Sequence, residues 1–186
     1  MNVSFKIYNT NAATNFMLGV YTYQSNWSNY KYSFVAYTNG SSQFRFERTF
    51  NNSASTISIN SGYSEIVANF TDRYYVLKNF NNTNIATGNF ANENYQTYGN
   101  IYLFAANRCD ENGDNVELRY AKNLKLYNYV IDNIINMIPC YVIDEYTDNK
   151  GNVCGSGVAG MVDTLTGVFY TNDGTGVFSH GADINI

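Results

Sequence analysis

The sequence predicts an all-β fold, two antiparallel sheets packed as a sandwich of the jelly-roll type, and three observations predict it. The first is composition: 18 Tyr and 12 Phe stand beside a single Pro, and 45% of the residues are hydrophobic. Aromatic and β-branched side chains suit the half-buried pleated surface of a strand. The second is periodicity, because short runs alternate apolar and polar residues at period two and no run makes a convincing amphipathic helix. The third is punctuation: turn residues recur at near-regular spacing between these runs, as in a sandwich or jelly roll. A chain of 186 residues without an internal repeat or a linker-sized polar stretch is expected to form one domain, residues 1–186.

The elements follow in order. Val3, Phe5 and Ile7 alternate with Ser4, Lys6 and Tyr8, which predicts a first strand. Phe16 to Tyr23 predicts a second. Tyr30 to Tyr37 and Gln43 to Thr49 flank Asn39 and Gly40, the strongest short hairpin signal, since both residues tolerate the positive φ of a type I′ turn. Ser55 to Asn60 and Ser64 to Phe70 flank Ser61 and Gly62, and Arg73 to Phe80 ends in the polar turn Asn81 to Thr83. Ile101 to Asn107 is nearly continuous in apolar residues, which predicts a central strand buried on both faces. Glu111 to Asp114 predicts a turn, and Val116 to Val130 strand with a bend near Lys122 and Asn123. Val130 to Ile138 is ambiguous between helix and strand; Asp132 and Asn133 favour strand–turn–strand, and Pro139 would stop a helix.

Charge excludes one large class of function. Only 14% of residues are charged and the net charge is −4, against roughly 25% charged residues in an average globular protein. The few Lys and Arg residues do not cluster, so a nucleic-acid groove, which needs concentrated cations to displace phosphate counterions, is not expected. No run approaches the roughly 18 apolar residues of a membrane span. The first residues read as a strand rather than as a signal peptide. Cys109, Cys140 and Cys154 are odd in number and lack CxxC spacing, which argues against a zinc site or a disulfide framework; a Cys140–Cys154 bridge and free buried thiols are the two readings.

The most distinctive segment is the last. Gly160 to Phe178 describes two short strands joined by a tight turn at Thr166 and Gly167, then a second turn at Asp173 and Gly174. Asp163 is placed to accept backbone N–H groups in the first turn. Gly167, Gly174 and Gly176 supply positive φ, and Phe169, Tyr170 and Phe178 would anchor the final strands. With Ile101–Asn107, Leu124–Tyr127 and Ile134–Cys140, which includes Pro139, this segment resembles the concanavalin-A-like, LamG-type jelly-roll domains of phage tail and fibre proteins and of gut-bacterial surface proteins. The likeness covers Ile101 to Gly181; the first hundred residues agree in pattern alone. Two departures stand out: Ile135, Asn136 and Met137 replace a charged step, and the stretch Asp144–Asp148 after Pro139 is an insertion. The resemblance implies a virion or cell-surface setting, a structural or adhesion role, and other virion subunits or further copies of the chain as partners.

Candidate chemistry is sparse. The carboxylate pair of a retaining glycosidase, about 5 Å apart, would appear as Glu-x-Asp-x-x-Glu on one strand, and that pattern is absent. His180 is the chain's one histidine and lies in a terminal turn, so neither a Ser–His–Asp system nor a zinc site is expected. Catalytic residues and a required cofactor are therefore not expected. Asp110 and Asp114 could offer oxygens to calcium, as could Asp144, Glu145 and Asp148, but both clusters also read as solvated loops. Trp27 and Tyr30 in one polar loop, and Tyr95 and Tyr98 in another, are candidate stacking platforms for a host-surface glycan. Packing of Trp27 on the sandwich edge is the alternative. Tyr-rich, Asn- and Ser-rich surfaces also bind proteins, so composition does not separate a glycan from a protein receptor.

Overall fold

In the computed structural model the described residues are 2–9, 15–24, 26–38, 44–50, 53–59, 65–71, 73–90, 100–110, 112, 114, 116–120, 124–172 and 178. Among them the chain is strand and turn without helix. The strands begin with β1 (Val3–Asn9), β2 (Asn15–Gln24), β3 (Asn26–Thr38), β4 (Phe44–Phe50) and β5 (Ser53–Ile59). Next come β6 (Glu65–Phe70), β7 (Tyr74–Lys78), β8 (Asn84–Asn89), β9 (Tyr102–Leu103), β10 (Ala105–Asp110) and β11 (Glu117–Tyr120). Last are β12 (Leu124–Ile131), β13 (Ile135–Val142), β14 (Tyr146–Thr147), β15 (Val153–Cys154), β16 (Val158–Asp163) and β17 (Phe169–Tyr170). They form two large, largely antiparallel sheets, ordered β17-β16-β13-β12-β1-β6-β7-β8 and β11-β10-β2-β3-β4-β5, with β9 also on β2; β14 and β15 make a small hairpin. This architecture is compatible with the sandwich that the alternation predicts. By contacts the chain divides into two compact units, Lys6–Lys125 and Met1–Phe5 with Leu126–Ile186.

In the unit Lys6–Lys125, β2 to β5 run as an antiparallel meander. The predicted hairpin is present: Thr38 faces Phe44 across the connection, while Asn39 and Gly40 lie outside the described residues. The strands flanking Ser61 and Gly62 do not pair with each other. β5 pairs with β4 in one sheet and β6 with β7 in the other, so the chain changes sheet there. Turn residues report that a chain reverses; the partner is chosen by which apolar faces meet. Those faces meet through aromatic rings. Phe46 of β4 stacks on Phe70 of β6 with centroids 3.9 Å apart, Phe34 meets Phe46 edge-on at 4.9 Å, and Phe90 closes the group at 6.0 Å from Phe46. Offset and edge-on contacts suit the ring quadrupole.

The run Ile101–Asn107 departs from the continuous strand expected of it. Phe104 takes φ +61°, which ends β9 and begins β10. Burial on both faces holds for Ala105, Ala106 and Asn107, whereas residues 101–104 are half-buried. A left-handed residue interrupts a ladder without changing hydrophobicity, so periodicity does not reveal it. β10 pairs parallel with β2, and β2 carries Gly19 at φ +128°. A Cβ there would collide with the Phe34 carbonyl and come within 2.7 Å of Val35 Cα, so the close approach of β2 to β3 requires glycine.

In the other unit, the Val130–Ile138 stretch is strand–turn–strand. Ile131 faces Ile135, Asn133 at φ +58° makes the turn, and the Ile134 amide donates to Ile131 O. Pro139 sits inside β13 rather than at its end. The β12 ladder stops at Tyr129–Met137, and beyond it β13 pairs with β16, Pro139 opposite Met161. A residue without N–H is tolerated where one side of a strand has no ladder. The stretch Asp144–Asp148 leads into the β14–β15 hairpin, which meets the outer edge of β17 through a bridge between Asp148 and Phe169.

Candidate functional site

Trp27 and Tyr30 are not in a loop. The backbone from Asn26 onward belongs to β3, and Ser25 alone separates it from β2. The Tyr and Trp of this run favour extended backbone, and they lengthen the β2–β3 ribbon past the expected turn. The ladder slips there: Gln24 faces Asn26 but Tyr23 faces Tyr30, so Trp27, Ser28 and Asn29 have no partner across it. Such bulges bend a strand and re-aim its side chains. The side chains of Trp27 and Tyr30 lie outside the described residues, as do Tyr95, Tyr98, Gly174, Gly176 and His180 altogether.

Asp110 and Asp114 come together as a turn. The Asn112 and Asp114 amides donate to Asp110 Oδ1 at 3.0 and 2.9 Å, and the Asp110 amide donates to Asp114 O. That oxygen is engaged by the backbone. Among the described residues no three His, Cys, Asp or Glu side chains converge as a metal site needs.

The C-terminal segment is organised by two buried carboxylates. Asp163, 3% exposed, accepts the Asn136 amide (2.9 Å) and the Leu165 amide (3.2 Å) at Oδ1, and the Thr166 hydroxyl (2.7 Å) at Oδ2. The Gly167 amide returns to Asp163 O at 2.8 Å, and Gly167 closes the turn at φ +74°. The Asn136 amide and the Thr166 hydroxyl hold the Asp163 carboxyl below its ordinary value against the opposing pull of burial. Tyr170 pairs with Met161 and is half-buried, as is Phe178.

Sequence reasoning missed the second carboxylate as an organising residue. Asp148, 7% exposed, accepts the Lys150 and Asn152 amides at Oδ1 (2.9 and 2.8 Å). Its Oδ2 accepts Asn152 Nδ2 and the Thr171 hydroxyl, each at 3.1 Å. Burial pushes its carboxyl up, but the donors from Asn152, Lys150 and Thr171 outweigh burial and the net shift is downward. Its neighbours Asp144 and Glu145 are exposed. The local signal was Asp-x-Lys-Gly-Asn, an Asx-turn pattern; the Thr171 partner has no local signal. Both carboxylates spend their lone pairs on fixed donors, which suits tying strands together rather than acid–base work.

Among the described residues, Tyr74, at the start of β7, is 42% exposed and Tyr127 on β12 is 41% exposed. Alternation with exposed Lys125 marks the outward face of Tyr127. Cys140 is a free thiol, and the side chain of Cys154 lies outside the described residues. No protein-family model matches the chain, nor does any curated protein or any solved structure.

Proposed function

We propose that this chain is a non-enzymatic adhesion module of a phage particle, a concanavalin-A-like jelly roll that recognises a host-surface glycan. The observation that carries this reading is the slipped β2–β3 ladder, which leaves the chain's one Trp without a partner on β2, in a bulged stretch where Asn26, Ser28 and Asn29 are its sequence neighbours. A flat aromatic beside amide and hydroxyl groups is what a sugar ring stacks on and hydrogen-bonds to. Exposed Tyr74 and Tyr127 add further aromatic surface, and the resemblance of Ile101–Gly181 supplies the setting. The test is a glycan array followed by titration of Trp fluorescence with any hit. The expected result is quenching that Trp27→Ala abolishes at unchanged folding. No hit from folded protein would sink the glycan reading.

A second reading is a structural virion subunit, and the exposed apolar residues favour it. Ile143 is 73% and Val153 64% exposed, on and beside the β14–β15 hairpin. This reading expects a stable oligomer in solution and no glycan response.

A further inference from the structure

Lys6, Lys78 and Lys125 are far apart in the sequence, and the fold places them on one face of the eight-stranded sheet. In the order β12-β1-β6-β7, Lys125 belongs to β12, Lys6 to β1 and Lys78 to β7, all within the unit Lys6–Lys125. Side chains alternate across a strand. Lys6 and Tyr8 therefore point away from buried Phe5 and Ile7, Lys125 away from buried Leu126, and Lys78, Val76 and Tyr74 away from buried Leu77. Between them β6 adds Glu65, Val67 and Asn69, because Ile66, Ala68 and Phe70 are buried; Val67 faces Lys78 and Asn69 faces Val76. Among these residues the face sets three ammonium groups against one carboxylate, Glu65, in a chain whose net charge is −4. Each ammonium has a neighbour that positions it. Lys6 Nζ lies 4.3 Å from the centroid of the Phe80 ring, Lys125 Nζ lies 5.8 Å from that of Tyr8, and Lys78 Nζ donates to Asn82 Oδ1 at 2.8 Å. A ring face attracts a cation, and a cation already positioned loses less freedom when an anion arrives.

We infer that this face binds a polysaccharide whose sugars carry carboxylate groups. Charge complementarity names the sign of the ligand, and spacing names its size. Neighbouring strands lie about 4.8 Å apart, so the step from β12 to β7 crosses about 14 Å, farther than a single small anion reaches. The ligand is therefore a polymer with repeated charges. A nucleic-acid duplex carries a charge per roughly 1.7 Å and rewards dense neutralisation, which three spread cations do not give; they suit a chain with one charge per sugar. Exposed Tyr74 and the amide of exposed Asn69 supply, on the same face, a ring to stack on and a hydrogen-bonding group. Charges farther than about 8 Å are screened at physiological ionic strength, so the local excess of cations outweighs the acidic remainder of the chain. Trp27 belongs to β3 of the other large sheet, and this inference does not rest on glycan binding there.

The test is calorimetric titration of the intact chain with polygalacturonate, with uncharged dextran as control. Polygalacturonate should bind at low salt and weaken at least about threefold at physiological ionic strength, while dextran should not bind. Changing Lys6, Lys78 and Lys125 together to Gln should lower the affinity at least about tenfold, and changing the same three to Arg should preserve it. Lys150→Gln, which removes a charge from the other unit, should leave it unchanged. If the triple Gln variant does not fold, Lys125→Gln decides, since that side chain is exposed: it should weaken binding where Lys150→Gln does not. No binding at low salt, equal binding of dextran, equal loss in Lys150→Gln, or tighter binding of oligo-dT or polyglutamate overturns the inference. Trp27→Ala should keep the affinity; a loss there assigns the binding to the Trp27 stretch and overturns this face.

Discussion

Asp163 shows how one side chain on β16 ties a neighbouring strand, β13, to the turn that follows β16. Its carboxylate takes the Asn136 amide of β13 and the Leu165 amide of the β16–β17 turn, and its own backbone closes that turn on Gly167. Asp163→Ala leaves buried donors unpaired and should cost about 2 kcal/mol in chemical denaturation, with Asp163→Asn losing less because one acceptor oxygen remains. An Ala variant as stable as the parent would show the bonds to be incidental. Cys109 is fully buried on β10, and burial pushes its thiol up, away from the reactive thiolate. Cys140 is half-buried. Alkylation of the folded protein near neutral pH, mapped by peptide mass, should modify Cys140 while sparing Cys109; equal labelling would contradict the packing of β10. The Asp163 turn was legible in the sequence because Asp, Thr and Gly occupy adjacent turn positions. Asp148 was not, because Thr171 lies 23 residues away and meets it through the fold.

At the scale of elements, the aromatic contact between β4 and β6 holds the two sheets together within the Lys6–Lys125 unit. Phe46 is fully buried between Phe34, Phe70 and Phe90. Phe46→Ala should cost about 3–5 kcal/mol, the usual penalty for deleting a buried aromatic ring, read as a fall in the denaturant midpoint at unchanged slope. A loss under about 1 kcal/mol would mean the site collapses around the deletion or is less filled than the ring distances imply. Period-two alternation placed strands such as β1 and β6, and the turn residues Asp132 and Asn133 favoured the β12–β13 pair. It failed at Phe104 and Trp27 for one reason: a reversal of φ and a slip of register are backbone events that leave the hydrophobic pattern intact.

For the molecule as a whole, low charge leaves hydrogen-bonded carboxylates as a main source of pH dependence. Asp148 and Asp163 both have folded values below the ordinary carboxylate value of 3.8. Groups depressed on folding stabilise the native state above the unfolded value, and that contribution is lost as pH falls through the folded values. The thermal midpoint should therefore hold steady from neutral pH down to the region of 3.8 and fall below it. A double Asp148→Asn, Asp163→Asn variant should have a lower plateau and a flatter acid limb. An acid limb unchanged in that variant would place the titration elsewhere.

By itself the sequence determined the all-β class, most strand positions and the chemistry of the Asp163 turn, and it favoured the strand–turn–strand at Val130–Ile138. Each of these is local: alternation, β-propensity and turn residues act within a few positions. Only the tertiary structure decided that β5 and β6 part to different sheets, that β10 runs parallel to β2, that Pro139 sits within a strand, and that Asp148 clasps a hairpin over the β17 edge. Those outcomes depend on which distant surfaces meet, and many pairings satisfy the same local pattern; burial of the aromatic rings and the pairing of buried carboxylates such as Asp148 and Asp163 select among them.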